Sequence, residues 1–197
     1  MNFFEKVVLK GKYIQLEPLT NAHAFELSEA SKDGDLWKLW FCSVPNPESI
    51  NEYIDNAKNQ FENRESIPFA VREINNGELG RVIGTTRLMK IDEKNKRLEI
   101  GFTFYAASKH GTLCNTEAKF LLLKYAFEDL NCIAVEFRTH FLNHRSRRAI
   151  EKLGAKQDGI LRNHVIMNGV LRDTVVFSII ESEWPTIKYH LNFKLDN

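Results

Sequence analysis

Residues 97 to 127 read RLEIGFTFYAASKHGTLCNTEAKFLLLKYAF, and the stretch divides into a strand, a small loop and a helix. From Leu98 the apolar side chains recur every second residue, so Leu98, Ile100, Phe102 and Phe104 fill one face and Glu99, Gly101 and Thr103 the other, the period of a pleated strand. The second face is low in bulk and carries a lone carboxylate, which predicts a surface able to admit a ligand beside Glu99. Ala107 to Thr112 turns the chain. From Glu117 to Asp129 helix formers, with Phe120, Leu121, Leu123 and Phe127 among them, predict a mostly apolar and well-buried helix. Between strand and helix, the loop Ser108 to Asn115 brings unpaired backbone N–H groups to a helix start, a geometry that holds phosphate oxygens without a metal. A diphosphate fits there.

The same order of parts returns downstream. Ile133 to Thr139 reads as a strand, and Asn143-His144-Arg145-Ser146 leads into a helix over Arg145 to Leu153 that Gly154 ends. Ile160 to Met167 and Val170 to Ile179 form a hairpin about Asn168-Gly169, and Trp184 to His190 predicts a short closing helix. Upstream, Gly11 to Pro18 alternates weakly as a strand, and Thr20 or Asn21 caps a helix through Ala22, Phe25 and Leu27. Asn46 with Pro47 starts a second helix, whose stripe Ile50, Tyr53, Ile54, Ala57 and Phe61 follows a period of 3.6. Three strands then follow as a meander, Ile67 to Glu73, Val82 to Ile91 and Leu98 to Tyr105, the first two joined at Asn76-Gly77.

The whole chain sets bounds on the function. At 197 residues and 43% hydrophobic content it is long enough for a proper core and short for two large domains, so one domain over residues 1–197 is expected. Lys and Arg number 27 against 26 for Asp and Glu, a balance that offers no general pull toward nucleic acid or anionic membrane. No apolar run approaches the ~20 residues of a spanning helix, and Met1 to Lys10 lacks the order of a secretory signal. Cys42, Cys114 and Cys132 show no metal-ligand spacing and read as free thiols. A cytoplasmic protein with no metal is expected.

Strand, glycine-containing loop and helix, then Asn143-x-x-Ser146 followed seven residues later by Leu153-Gly154-Ala155, resemble the acetyl-CoA-binding core of the GNAT N-acetyltransferases. The opening Gly11-Lys12-Tyr13-Ile14-Gln15-Leu16-Glu17-Pro18-Leu19, with Gly159 to His164, Arg172-Asp173 and Ser178, is similar to the RimJ/RimL-like branch, which includes ribosomal-protein N-terminal acetyltransferases. The resemblance implies an α+β GNAT fold, with a mixed, mostly antiparallel sheet flanked by helices and splayed at the cofactor site. It implies that the backbone of Phe102, Thr103, Phe104 and Tyr105 pairs with the pantetheine arm and that the loop Lys109, His110, Gly111, Thr112, Leu113 and Cys114 holds the pyrophosphate. Asn143 orients the arm, Ser146 lies near the thioester sulfur, Arg148 belongs to a basic cluster suited to the CoA 3′-phosphate, and Trp37, Trp40 and Phe41 border the acceptor pocket. Leu113 stands where the branch tends to place a second glycine. Leucine tolerates positive φ badly, so a weaker grip on the cofactor is expected.

Acetyl transfer to an amine needs a base, because a primary amine is mostly protonated at neutral pH. Glu99 is the candidate base, Ser146 the donor to the leaving thiolate, and a backbone N–H near Phe102 the group that polarises the carbonyl. The acceptor, a protein N-terminal amine, a small amine or an aminoglycoside, is not legible, and a homodimer follows from the resemblance alone. Three competing readings remain. Cys114 at a helix start invites a thiol nucleophile, but no His or Asp spacing supports it. The run Arg138, His140, His144, Arg145, Arg147 and Arg148 suits an RNA surface as well as a phosphate. A non-catalytic acyl-CoA-binding or regulatory module is the alternative from another class.

Overall fold

The computed structural model describes residues 3–197. Its frame is one eight-stranded sheet built from β1 (Leu9–Lys10), β2 (Ile14–Pro18), β3 (Ser66–Asn75), β4 (Glu78–Asp92), β5 (Arg97–Tyr105), β6 (Ala134–His140), β7 (Lys156–Met167) and β8 (Val170–Ile180), in the order β1-β2-β3-β4-β5-β6-β8-β7. Neighbours pair antiparallel except β5 and β6, which run parallel. Tight turns join two of the antiparallel pairs, β3 to β4 and β7 to β8. Asn76-Gly77 and Asn168-Gly169 all take positive φ, the left-handed pair that a two-residue hairpin needs. The parallel pair needs a crossover, and α3 (Leu113–Lys124), extended by a π turn over Tyr125–Asp129, supplies it.

Helices cover both faces. α1 (Ala24–Lys32) and α2 (Ile50–Glu62) lie on one side, where Leu27, Ile50, Ile54 and Ala57 pack with Ala70, Val82 and Phe104. Phe25, counted with Leu27 by periodicity, instead points to solvent at 78% exposure. On the other side α3 and α5 (Trp184–Asp196) press Leu122, Leu123, Trp184, Ile187 and Leu191 against Ile14, Phe69, Leu98 and Val135. α5 runs past the expected end at His190 because Ile187, Leu191 and Leu195 keep the i, i+4 spacing and stay buried. α4 (His144–Glu151) follows β6 on the exit side of the crossover.

Glu117 locks the start of α3 to the opposite edge of the sheet. Its buried carboxylate accepts the N–H groups of Lys12 at 2.7 Å, Tyr13 at 2.7 Å and Ile14 at 2.8 Å. Sequence reading took Glu117 for an ordinary helix former. Its place is fixed instead by the turn between β1 and β2, where Gly11 leaves the space the carboxylate fills.

Candidate active site

β5 and β6 pair only through Arg97 with Ala134, Leu98 with Val135 and Glu99 with Glu136, and then part. A bulge at Gly101-Phe102 accompanies the parting: from Gly101 to Phe104 β5 advances by three positions while β4 advances by two between Arg87 and Thr85, and Phe102 takes φ 46°. A bulge bends its strand and reverses the side-chain alternation beyond it. Thus Leu98, Ile100 and Tyr105 join the core under α3, whereas Phe104 joins the core under α1 and α2. This corrects the expected face of Leu98, Ile100, Phe102 and Phe104. Phe102 is 42% exposed, and its ring covers one side of the buried Arg87 guanidinium at 4.6 Å, with Tyr53 at 4.6 Å as well.

The parted strands open a cavity of about 580 Å³, within the range that small-molecule sites occupy. Phe102, Thr103, Phe104 and Tyr105 line it, as do Lys109, His110 and Gly111 from the loop, Asn143 and Ser146 from the start of α4, and Glu99 and Phe41. Thr112, Leu113, Cys114 and Arg148 stand off the wall, and Arg145 rather than Arg148 faces inward. Trp37 and Trp40 are also off the wall, Trp40 sitting edge-on to His140 at 5.0 Å between ring centres.

At the loop end, Gly111 has φ 78°, and the N–H groups of Gly111 and Thr112 find no acceptor among the described residues. Leu113 is already helical, so positive φ is not required where the sequence departs from the family pattern. Thr112 caps the helix, its hydroxyl accepting from Cys114 N–H at 3.4 Å. The loop is steadied by Asp33, which accepts Ser108 N–H at 3.1 Å, and by the ion pair of Lys109 with Glu73. Asn143 caps α4 through Ser146 N–H at 3.1 Å, which presents Ser146 to the cavity.

The wall is strongly positive although the chain is nearly neutral. Lys90, Lys109, Arg138, Arg145 and Arg172 line it, with Glu99 as the acid. Glu99 is buried, not on an open face, with Lys90 Nζ at 2.8 Å and Arg138 Nε at 3.4 Å. Lys119 is buried under the bulge, its Nζ donating to Thr103 Oγ1 at 2.7 Å and to Thr86 Oγ1 at 3.0 Å, and burial lowers its pKa to about 7. His140 accepts Leu142 N–H on Nδ1 at 3.0 Å, which places its proton on Nε2, and burial keeps the ring neutral by lowering its pKa. The run of basic residues is therefore no single patch: Arg138 turns to Glu136, His140 into the cavity, Arg145 to His110 at 3.0 Å and Arg147 over the Phe141 ring at 5.1 Å.

Tyr105 Oη, His140 Nε2 and Arg172 Nε are buried without a hydrogen-bond partner, and all three belong to residues on this wall. Buried polar groups are normally satisfied, so three together mark a place for a polar ligand. Sequence reading named Arg172 only as a mark of the family branch and Tyr105 only for its backbone, and it passed over Lys119, because nothing in their local spacing brings these side chains to one wall. Among the described residues no cluster of His, Cys, Asp or Glu is assembled that would hold a metal.

A model of the acetyltransferase (GNAT) domain matches residues 14–156. The chain is 31% identical over 105 residues to "Putative ribosomal N-acetyltransferase YdaF" of Bacillus subtilis (strain 168), an alignment covering 53% of this chain and 57% of that protein's length. It is 29% identical over 183 residues to "Probable N-acetyltransferase YjcK" of the same organism, covering 89% of this chain and 98% of that one. The crystal structure of a GCN5-related N-acetyltransferase from Brucella melitensis superimposes with a TM-score of 0.85 at 32% identity, over 95% of this chain and 85% of that one.

Proposed function

The chain belongs to the GNAT acetyltransferase family, on its RimJ/RimL-like side, and from that premise we propose that it moves an acetyl group from acetyl-CoA directly to a primary amine. The observation that carries the reading is the cavity between β5 and β6, lined by Gly111, whose N–H is free, and by the buried carboxylate of Glu99. We read residues 1–197 as one catalytic domain, which the single sheet running from β1 to β8 supports.

In this reading the N–H groups of Gly111 and Thr112, with Lys109, His110, Leu113 and Cys114 shaping the loop and helix start, receive the pyrophosphate. The bulged backbone of Phe102 to Tyr105 pairs with the pantetheine amides, Asn143 orients the arm, and Arg145 joins Arg148 in meeting the outer phosphate. The acceptor enters beside Phe41, with Trp37 and Trp40 behind it. Glu99 takes the ammonium proton, directly or through water. The amine nitrogen then forms a C–N bond to the acetyl carbon while the C–S bond breaks; the nitrogen sheds its second proton to water, and the thiolate gains one from Ser146, which is replenished from that water. Arg138 and Lys90 both lie against Glu99 Oε2, which leaves Oε1 to take the proton.

Transfer to a protein N-terminal amine is the favoured case, by likeness to the ribosomal N-acetyltransferase relative. A cytoplasmic setting is in keeping with three free cysteines, and among the described residues no helix is long and apolar enough to cross a membrane. Ile166, Val170 and Leu171 are exposed at the tip of the β7–β8 hairpin, an edge that suits a second copy of the chain. Calorimetric titration with acetyl-CoA, followed by thiol release on adding peptide and small-molecule amines, tests the assignment. Saturable binding with thiol release is expected. Binding without release on any amine would select the non-catalytic acyl-CoA-binding module, and no binding would sink the proposal.

A further inference from the structure

Arg172 projects from β8 into the cavity with no anion to meet it. Its guanidinium enters no hydrogen bond or ion pair among the described residues, and its Nε is buried. The carboxylate next to it in the chain is committed elsewhere: Asp173 holds Arg162 Nε at 2.7 Å and Asn163 N–H at 2.7 Å, across the bulge in β7. The acid that Arg172 senses across the cavity is Glu99, which already has Lys90 and Arg138 against it. Asp173 spent and Glu99 doubly matched leave a half-buried guanidinium with unused donors. An unpaired buried charge is costly, and its usual resolution is an anion that arrives from outside.

His140 adds a second donor. Its Nε2–H has no acceptor, its tautomer is set by Leu142, and its ring lies close enough to Arg172 to feel that charge. Cys42, the other neighbour that senses Arg172, is a neutral thiol whose pKa burial raises. The two donors therefore meet on the part of the wall that Glu99 and Cys42 share.

We propose that the acceptor amine carries an anionic oxygen group, a carboxylate or a phosphate, a few bonds from its nitrogen, and that Arg172 receives this group with His140 donating beside it. The proposal rests on the acetyltransferase reading and narrows its substrate class. Glu99 then meets the ammonium end and Arg172 the anionic end, so the acceptor is held by opposite charges at its two poles and its orientation is fixed.

Acetylation rates on matched pairs test this: β-alanine against β-alaninamide, O-phosphoethanolamine against ethanolamine, and a peptide with Glu as its second residue against the same peptide with Gln. The wild-type protein is expected to favour the anionic member of at least one pair by roughly 10- to 100-fold in kcat/KM, carried mainly by KM. The pair that responds tells a carboxylate from a phosphate and a free metabolite from a peptide. Arg172→Gln is expected to bring that ratio close to one, and Arg172→Lys to restore part of it. Equal rates within every pair, or a preference that survives Arg172→Gln, overturn the proposal while leaving the acetyltransferase reading intact. Weaker acetyl-CoA binding by Arg172→Gln in calorimetry, with the ratio unchanged, assigns the guanidinium to the donor and overturns it too. No transfer to any amine sinks both.

Discussion

Lys119 Nζ lies 2.7 Å from Thr103 Oγ1, directly beneath the bulge that parts β5 from β6. Thr86 completes the group, its hydroxyl 2.8 Å from that of Thr103 and 3.0 Å from the ammonium nitrogen. A buried amine with only hydroxyl partners is a choice for neutrality, since no carboxylate offsets a charge there. The bulge that shapes the cavity thus rests on a titratable prop.

The prop predicts a pH-dependent stability. Lys119 titrates at about 7 in the fold and at the usual 10.5 once unfolded. Between those values the unfolded chain holds a proton that the fold has lost, so stability rises with pH across the window at up to about 1.4 kcal/mol per unit. Below pH 7 both states are protonated and the full penalty of the buried charge is present. Lys119→Met removes the dependence: in denaturant titrations its advantage over wild type is expected to shrink by about 2–3 kcal/mol between about pH 6 and pH 9. A constant difference would mean that the ammonium is solvated.

Gly11 and Glu117 form a second coupled pair. A Cβ on Gly11 would fall 2.3 Å from Glu117 Cδ, and the carboxylate cannot retreat without losing three N–H groups. Gly11→Ala and Glu117→Gln are each expected to cost about 2–4 kcal/mol, the latter because an amide NH₂ would confront N–H donors. Combining Gly11→Ala with Glu117→Ala is expected to cost less than the sum of the two single changes, since the clash disappears with the carboxylate. Strict additivity in guanidinium melts would show that the two positions do not meet.

The elements legible in the sequence are those whose signals are local. The Asn168-Gly169 hairpin, the stripe of α2 and the loop-helix start at Gly111 each declare themselves within a few residues, and the fold carries all three. The bulge was not legible, because Ile100, Phe102 and Phe104 continue an unbroken alternation that only pairing with β4 interrupts. The acceptor end of the cavity was legible in part. Glu99 stood out as a lone carboxylate on its strand, but its cationic neighbours come from β4 and β6, and Arg172 reaches it from β8, more than seventy residues away in the chain. Convergence of that kind is a property of topology and leaves no spacing to read.

Leu113 is the residue whose sequence reading changes most. Its helical backbone removes the expected strain, so Leu113→Gly is predicted to leave acetyl-CoA affinity within about threefold of wild type while lowering stability by about 1 kcal/mol through helix propensity. Calorimetry and thermal melts on the same preparation measure both. A large gain in affinity would show that the leucine side chain, and not backbone strain, obstructs the loop.

Glu99 carries the most exposed prediction, because its two cationic neighbours are compatible with a base and equally with a purely structural ion cluster. If it removes the ammonium proton, Glu99→Gln lowers kcat/KM at neutral pH by about 10²- to 10⁴-fold. The deficit then shrinks as pH climbs toward the acceptor's own pKa, near 8 for an α-amine and near 10 for an alkylamine, where the nucleophile arrives already neutral. A structural role predicts a loss that stays level with pH and tracks a fall in melting temperature, since removing one partner strands Lys90 and Arg138 beside a buried amide. Rates of thiol release from acetyl-CoA, taken across this pH range with melting curves on each variant, separate the two. Full turnover by Glu99→Gln at neutral pH would remove Glu99 from the mechanism and leave proton transfer to water in the cavity.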